Sequence, residues 1–155
     1  MLREALRKES WYGRMRRLPQ WSRWAVALYL FAFGQAFFVH LYALLDGGFH
    51  AYAWAPPAVR TYFTLLVVLD PLAFFLVWRL RPVGVVYSCV VMALDAFANW
   101  YANWDFVMHN PWTLAQPVGL TPITLFTVFV LASAVPLRRE FGRLSGAGAA
   151  GSPPS

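Results

Sequence analysis

Four long apolar runs, separated by short polar connections, divide the chain. They cover residues 24–46, 60–78, 83–104 and 118–137. A helix of about 20 apolar residues is long enough to cross the hydrocarbon core of a bilayer. The pattern therefore predicts an all-α fold, an integral membrane four-helix bundle. A basic segment at 1–23 precedes the bundle, and the tail at 139–155, which ends in Gly, Ala, Ser and Pro, is expected to be disordered.

Two aspartates interrupt the apolar pattern. Asp70 lies near the middle of the second run and Asp95 near the middle of the third. An aspartate at the centre of a bilayer costs roughly 2.5–3.5 kcal/mol, and such residues usually face a bundle interior or a cavity rather than lipid. We therefore expect Asp70 and Asp95 to mark an intramembrane polar site and to be its candidate catalytic residues.

Other polar residues fall at related positions. Asp95, Asn99 and Asn103 recur every four residues, which places them on one face of a helix. Gln35 in the first run and Thr124 in the fourth lie at depths similar to those of the aspartates. The predicted ligand-binding residues are Gln35, Asp70, Asp95, Asn99, Asn103 and Thr124. The alternative is that these side chains only join helices, through hydrogen bonds of about 0.6 kcal/mol each.

Composition and charge agree with a membrane location. The chain is 59% hydrophobic and 13% charged, whereas soluble domains carry about 25% charged residues. Every basic residue except Arg60 lies before residue 24, within 79–82 or after residue 137. The positive-inside rule then predicts that both termini are cytoplasmic. Basic residues that flank apolar runs also argue against a nucleic-acid partner. The preference for Arg over Lys indicates a bacterial genome rich in G and C, and hence the inner membrane.

Several chemical motifs are missing from the sequence. It has no Cys or His cluster with metal-ligand spacing, no Gly-rich phosphate loop and no Gly-x-Ser-x-Gly elbow. We therefore expect no metal and no cofactor. Cys89 is the single cysteine, so the chain can form no intramolecular disulfide. His40, alone on an apolar run, is interpreted as a hydrogen-bonded structural residue rather than a ligand.

The second run carries a resemblance to a known family. Pro56-Pro57 precedes it, and it contains Thr64-Leu-Leu-Val-Val-Leu-Asp70-Pro71. This arrangement resembles the emopamil-binding-protein and sigma-2-receptor family, which has the sterol-isomerase-like (EXPERA) fold. The resemblance implies four membrane helices with cytoplasmic termini and a lipid-accessible cavity lined by acidic residues. Asp70 and Asp95 would match the acids of the second and third helices, and Asp46 an acid near the end of the first.

Two departures from the family pattern bear on the reaction. The family usually has Glu at the position of Asp70, and its isomerases have His one turn earlier, where this chain has Leu66. These differences favour binding without sterol isomerisation.

The sequence leaves two functional hypotheses. In the first, the protein binds a small hydrophobic molecule, a lipid, isoprenoid or amine, and could carry out isomerase-like acid/base chemistry with its paired aspartates. In the second, it is a proton-linked transporter or an accessory membrane subunit, alone, as a homodimer or in a larger complex, and its aspartates are a proton relay or helix contacts. A scaffold whose polar residues only fix packing is the remaining alternative.

Overall fold

The computed structural model describes residues 10–116 and 119–149, and within them the chain contains helices and no strand. The described residues form five α-helices and two short 3-10 helices. The α-helices are α1 (Trp11–Arg17), α2 (Gln20–Gly47), α3 (Pro57–Trp78), α4 (Pro82–His109) and α5 (Leu120–Ala149). The 3-10 helices are Gly48–His50 and Pro111–Ala115. Helices α2 to α5 are each long and apolar enough to cross a membrane. The predictions of an all-α chain and of four candidate spans are confirmed.

The observed helices extend beyond the apolar runs at several ends. α3 begins at Pro57 instead of residue 60, because a proline is well suited to the first turn of a helix, where its missing N–H is not needed. α4 continues past residue 104 to His109 and ends where Asn110 precedes Pro111, since the residue before a proline disfavours helical backbone. Hydropathy therefore located the spans but underestimated these helices.

The C-terminal part of α5 differs most from the prediction. Residues 139–149 were expected to be disordered, but they continue α5 as helix. Phe141 is fully buried on this segment, as is Leu137 just before it, and Leu144 packs against the same core. The spacing of these three residues forms an apolar stripe, and burying such side chains stabilises a helix by roughly 1.5–3 kcal/mol each. Residues 150–155 of the predicted tail, and residues 1–9 of the basic segment, lie outside the described residues.

A tight turn joins α3 to α4. The N–H of Arg81 donates to the carbonyl of Leu76 at 3.2 Å, and that of Leu80 to the carbonyl of Val77 at 2.8 Å. Leu80 has a positive φ of 52°. These features form a Schellman motif, which normally has glycine at this position. Burial of the Leu80 side chain, which is 2% exposed, holds the leucine there.

Helix α1 packs across this turn. The indole N–H of Trp11 donates to the carbonyl of Trp78 at 2.6 Å, and the guanidinium of Arg14 donates to the carbonyl of Arg79 at 3.3 Å. Both contacts satisfy carbonyls at the C-terminus of α3, which have no partner within that helix. We call this side of the molecule the arginine end, comprising α1, residues 79–81 and the last turns of α5. The opposite side, residues 48–56, 110–116 and 119, is the loop end.

The long helices contact one another in the order α2–α3–α4–α5, and α5 also contacts α2. The α2–α5 contact is concentrated toward the arginine end. The hydroxyl of Tyr29 on α2 donates to the carbonyl of Val130 on α5 at 3.0 Å and lies 3.0 Å from Ser133 Oγ. The buried residues of α2 all precede Gly34. Toward the loop end, α2 therefore leaves space beside α5.

We expect Tyr29→Phe to lower the free energy of unfolding by about 1 kcal/mol, because it removes one buried hydrogen bond and keeps the ring packing. The measurement is unfolding in detergent, followed by tryptophan fluorescence. Tyr101→Phe is the matched control, since the Tyr101 side chain on α4 is 60% exposed. Equal stability of the two variants would show that the Tyr29 contact does not hold α2 to α5.

Candidate functional site

A cavity of about 460 Å³ occupies the space between α2 and α5 toward the loop end. Side chains from all four long helices and from the connection after α2 line it. Its polar lining consists of Gln35, His40, Tyr52, Asp70, Asp95 and Asn99. The rest of the lining is apolar or aromatic apart from one glycine, and it includes no Lys or Arg among the described residues. The cavity is thus an apolar chamber with one acidic, polar wall.

Four of the six predicted ligand-binding residues line this cavity. They are Gln35, Asp70, Asp95 and Asn99. Asn103 and Thr124 do not line the cavity. The Asn103 amide donates to the carbonyl of Asn99 at 2.9 Å, within α4. Thr124 Oγ1 donates to the carbonyl of Leu120 at 2.7 Å and accepts from Trp100 Nε1 at 2.8 Å, so it joins α4 to α5.

Asp70 has the smaller solvent-exposed fraction of the two acidic residues that line the cavity. It lies on α3, where the residue is 3% exposed. Its Oδ2 atom has no hydrogen-bond partner among the described residues. The Nε2 atom of His40 lies 4.0 Å from that oxygen. An unpaired carboxylate in apolar surroundings is costly, so a cation or hydrogen-bond donor placed beside Oδ2 would be strongly stabilised.

Asp95 is held differently. Its Oδ1 atom accepts a hydrogen bond from Asn99 Nδ2 at 3.0 Å, and the same amide nitrogen lies 3.0 Å from the Asp95 carbonyl. Asn99 is one helical turn further along α4, so the four-residue stripe found in the sequence orients this carboxylate. The cavity therefore contains two unlike carboxylates, one held by an amide and one free to accept a donor.

Two further polar residues of the lining were not among the predicted ligand-binding residues: His40, which was interpreted as a hydrogen-bonded structural residue, and Tyr52. His40 Nδ1 lies 2.8 Å from the hydroxyl of Tyr52, and its ring stacks on Phe63 with centroids 6.4 Å apart. His40 follows Phe33 and Ala36 at spacings of seven and four residues, which puts all three on one face of α2 and was a usable signal. Tyr52 lies in an irregular connection, where no periodicity could have indicated its position.

The cavity reaches the lateral surface of the molecule beside α2. Leu28, Phe31 and Val39 line its edge, and their side chains are exposed on the outer face of α2. Ile123 and Phe126 form the facing edge on α5. If α2 to α5 span a bilayer, this opening faces lipid hydrocarbon rather than water.

Comparison with known proteins adds no relative. No protein family model, no curated protein and no solved structure matches this chain. Within residues 10–116 and 119–149 there is also no group of three or more His, Cys, Asp or Glu side chains that could hold a metal ion. The function must therefore be argued from the cavity itself.

Proposed function

We propose that the protein is a multi-pass membrane protein that binds a small, mostly hydrophobic molecule in this cavity. The observation that carries the proposal is the buried Asp70 Oδ2 atom, unpartnered among the described residues, on the wall of an otherwise apolar chamber. The volume of the cavity is within the range of about 300–1,000 Å³ that is usual for small-molecule sites. The ligand would present an amine or hydroxyl to Asp70 and place a lipid-like or isoprenoid body against the apolar walls.

The proposed arrangement is a four-helix membrane bundle with both termini in the cytoplasm. It is supported by the clustering of basic side chains at the arginine end, which includes Arg79, Arg81, Arg138 and Arg139. In a bacterial inner membrane, the loop end would then face the periplasm. The cavity would open sideways into the outer half of the bilayer.

The EXPERA resemblance remains part of this proposal. Asp70 and Asp95 line one cavity and Pro57 begins α3, as that resemblance implies. Leu66, which stands where the isomerases have histidine, is buried at 1% exposure, while His40 approaches Asp70 from α2 instead. Asp46 is exposed and does not line the cavity, so it does not support the third proposed match.

Isomerase-like chemistry would assign separate roles to the aspartates. The Asp70 carboxyl would donate its proton to one carbon of an alkene. The carboxylate of Asp95, already held by Asn99, would stabilise the positive charge that develops. Loss of a proton from a neighbouring carbon to Asp70 would complete a shift of the double bond. Binding without reaction needs only the contact between Asp70 and the amine or hydroxyl of the ligand.

The test is mass spectrometry of small molecules that co-purify in mild detergent. Wild type is compared with Asp70→Asn, and Asp46→Asn is the matched control because Asp46 is exposed outside the cavity. We expect wild type and Asp46→Asn to retain the same molecule, and Asp70→Asn to retain at least about 30-fold less, since losing one member of a buried polar pair costs about 2–5 kcal/mol. Identical bulk phospholipid in all three preparations would contradict the proposal.

A further inference from the structure

A line of polar side chains connects the loop end to Asp70. It begins at Tyr52, which lies in the connection between the first two candidate spans. The Tyr52 hydroxyl is 2.8 Å from His40 Nδ1, and His40 Nε2 is 4.0 Å from Asp70 Oδ2. The two ring nitrogens of His40 thus lie near two different oxygen atoms, the Tyr52 hydroxyl toward the loop end and Asp70 Oδ2 in the cavity.

The packing around His40 favours this orientation of its ring. The imidazole stacks on Phe63 at an interplanar angle of 29°, and Tyr52 meets the same phenyl ring edge-on with centroids 5.3 Å apart. The His40 side chain is 17% exposed and that of Asp70 is 4% exposed. Aromatic contacts therefore hold His40 and Tyr52 side by side. A small rotation of either the His40 or the Asp70 side chain would shorten the 4.0 Å distance between His40 Nε2 and Asp70 Oδ2 to that of a hydrogen bond, about 2.8–2.9 Å.

Few other ionisable groups face this line. Asp95 on α4 lines the same cavity, and the Tyr62 hydroxyl on α3 already donates to the carbonyl of Val91 at 2.7 Å. Tyr87 on α4 is another phenol within electrostatic range of Asp70. The described part of α5 contributes no ionisable side chain to the lining. Burial raises the pKa of the Tyr52 phenol, and the carboxylates of Asp70 and Asp95 raise it further. The Tyr52 hydroxyl therefore keeps its proton at neutral pH and can donate it in a hydrogen bond.

We propose that Tyr52 and His40 form a proton-exchange path between the water at the loop end and Asp70. The Nε2–H bond of His40 breaks as an O–H bond forms on Asp70 Oδ2. The Tyr52 hydroxyl proton passes to Nδ1, and the phenol oxygen takes a proton from water. One proton thereby moves to Asp70 and the imidazole changes tautomer; the reverse sequence returns the proton and restores the first tautomer.

This inference deepens the proposed function, because Asp70 is the polar group of the proposed ligand site and its protonation would govern what it binds. It also gives the proton-linked hypothesis a physical route. The path is tested on protein without added ligand, so slow proton exchange and failed ligand binding are separate results.

The experiment is time-resolved infrared spectroscopy of the purified full chain in detergent after a rapid acidification, from a pH where Asp70 is ionised to one where it is protonated, so that the rise of its carboxyl band measures the net arrival of a proton. The carboxyl band of Asp70 is identified, at a pH where Asp70 is protonated, by its loss in Asp70→Asn. We expect Tyr52→Phe and His40→Phe to slow the protonation of Asp70, seen as the rise of its carboxyl band, by at least about tenfold, since a positioned acid–base group typically contributes more than that to proton transfer. Tyr42→Phe is the matched control, because the Tyr42 side chain on α2 is 70% exposed.

Tyr52→Phe decides the outcome because it keeps the ring against Phe63 and removes only the hydroxyl. Its folding is checked by thermal unfolding against wild type. Protonation of Asp70 at the wild-type rate in Tyr52→Phe overturns the path, whatever His40→Phe does. In oriented proteoliposomes, protonation of Asp70 should also follow a pH change on the loop-end side, and a response only to the arginine-end side would overturn the path equally.

Discussion

Gly84→Ala is expected to destabilise the protein by roughly 3 kcal/mol, although it adds only one methyl group. A Cβ atom at Gly84 would lie 2.7 Å from the carbonyl carbon of Leu76 and 2.9 Å from its carbonyl oxygen. These are backbone atoms of α3, which cannot rotate aside as a flexible side chain could. Because overpacking of this kind costs typically 1–3 kcal/mol and occasionally more, α4 must move away from α3.

The same substitution elsewhere provides the control. Gly142 on α5 has no atom within 4 Å of its added Cβ. Gly142→Ala should therefore raise the free energy of unfolding by about 0.5–1 kcal/mol through better helix propensity. Unfolding of both variants in detergent, followed by tryptophan fluorescence, compares them directly. If both substitutions shift stability in the same direction, α3 and α4 do not approach as closely as the structure places them.

The Gly84 contact also bears on the site. α3 carries Asp70 and α4 carries Asp95 and Asn99, so the separation of these two helices sets how the acidic wall of the cavity is assembled. A Gly84→Ala protein that remains folded should therefore retain less co-purified ligand than Gly142→Ala.

The second large effect is expected from filling the lateral opening. Ala36 lines the cavity from α2. Ala36→Trp places an indole where a methyl group stood and should block the opening without changing either aspartate. A photoreactive long-chain alkylamine is the probe. We expect its labelling of the peptide that contains Ile123 and Phe126 to fall at least about tenfold, because a filled apolar cavity resists further insertion.

Ala27→Trp is the matched control for this variant. Ala27 lies on the same helix, is exposed, and does not line the cavity. Its labelling should equal that of wild type. If Ala36→Trp is labelled as strongly as Ala27→Trp, the probe reaches the cavity by another route, and access from the side is ruled out as the main path.

Hydropathy and helical periodicity accounted for much of this arrangement. The apolar runs located the four long helices, and the four-residue spacing of Asp95 and Asn99 placed both on the cavity wall. The same spacing predicted Asn103 on that wall, but Asn103 does not line this cavity, because a shared helix face does not fix how far along the helix a neighbouring helix stays close. Thr124 was placed by depth alone, and depth does not distinguish a cavity wall from a helix–helix contact.

The remaining features depended on tertiary structure. Tyr52 reaches His40 from a connection without periodicity, and His40 meets Asp70 only because α2 and α3 pack together. The helical segment 139–149 was missed because its few apolar residues are separated by charged ones, which hydropathy averages away. Phe141 is buried there by contacts distant in sequence.

The lateral opening between α2 and α5 has a consequence for how affinity must be measured. If the proposed ligand enters the cavity from the bilayer, it is bound at its concentration in lipid, not in water. Each added methylene favours partitioning into the membrane by about 0.8 kcal/mol, which is about fourfold in local concentration. In a series of alkylamines of increasing length, the apparent affinity should rise by that factor per carbon even where the extra carbon touches no residue. Only affinities expressed per mole of lipid will report the contacts made inside the cavity.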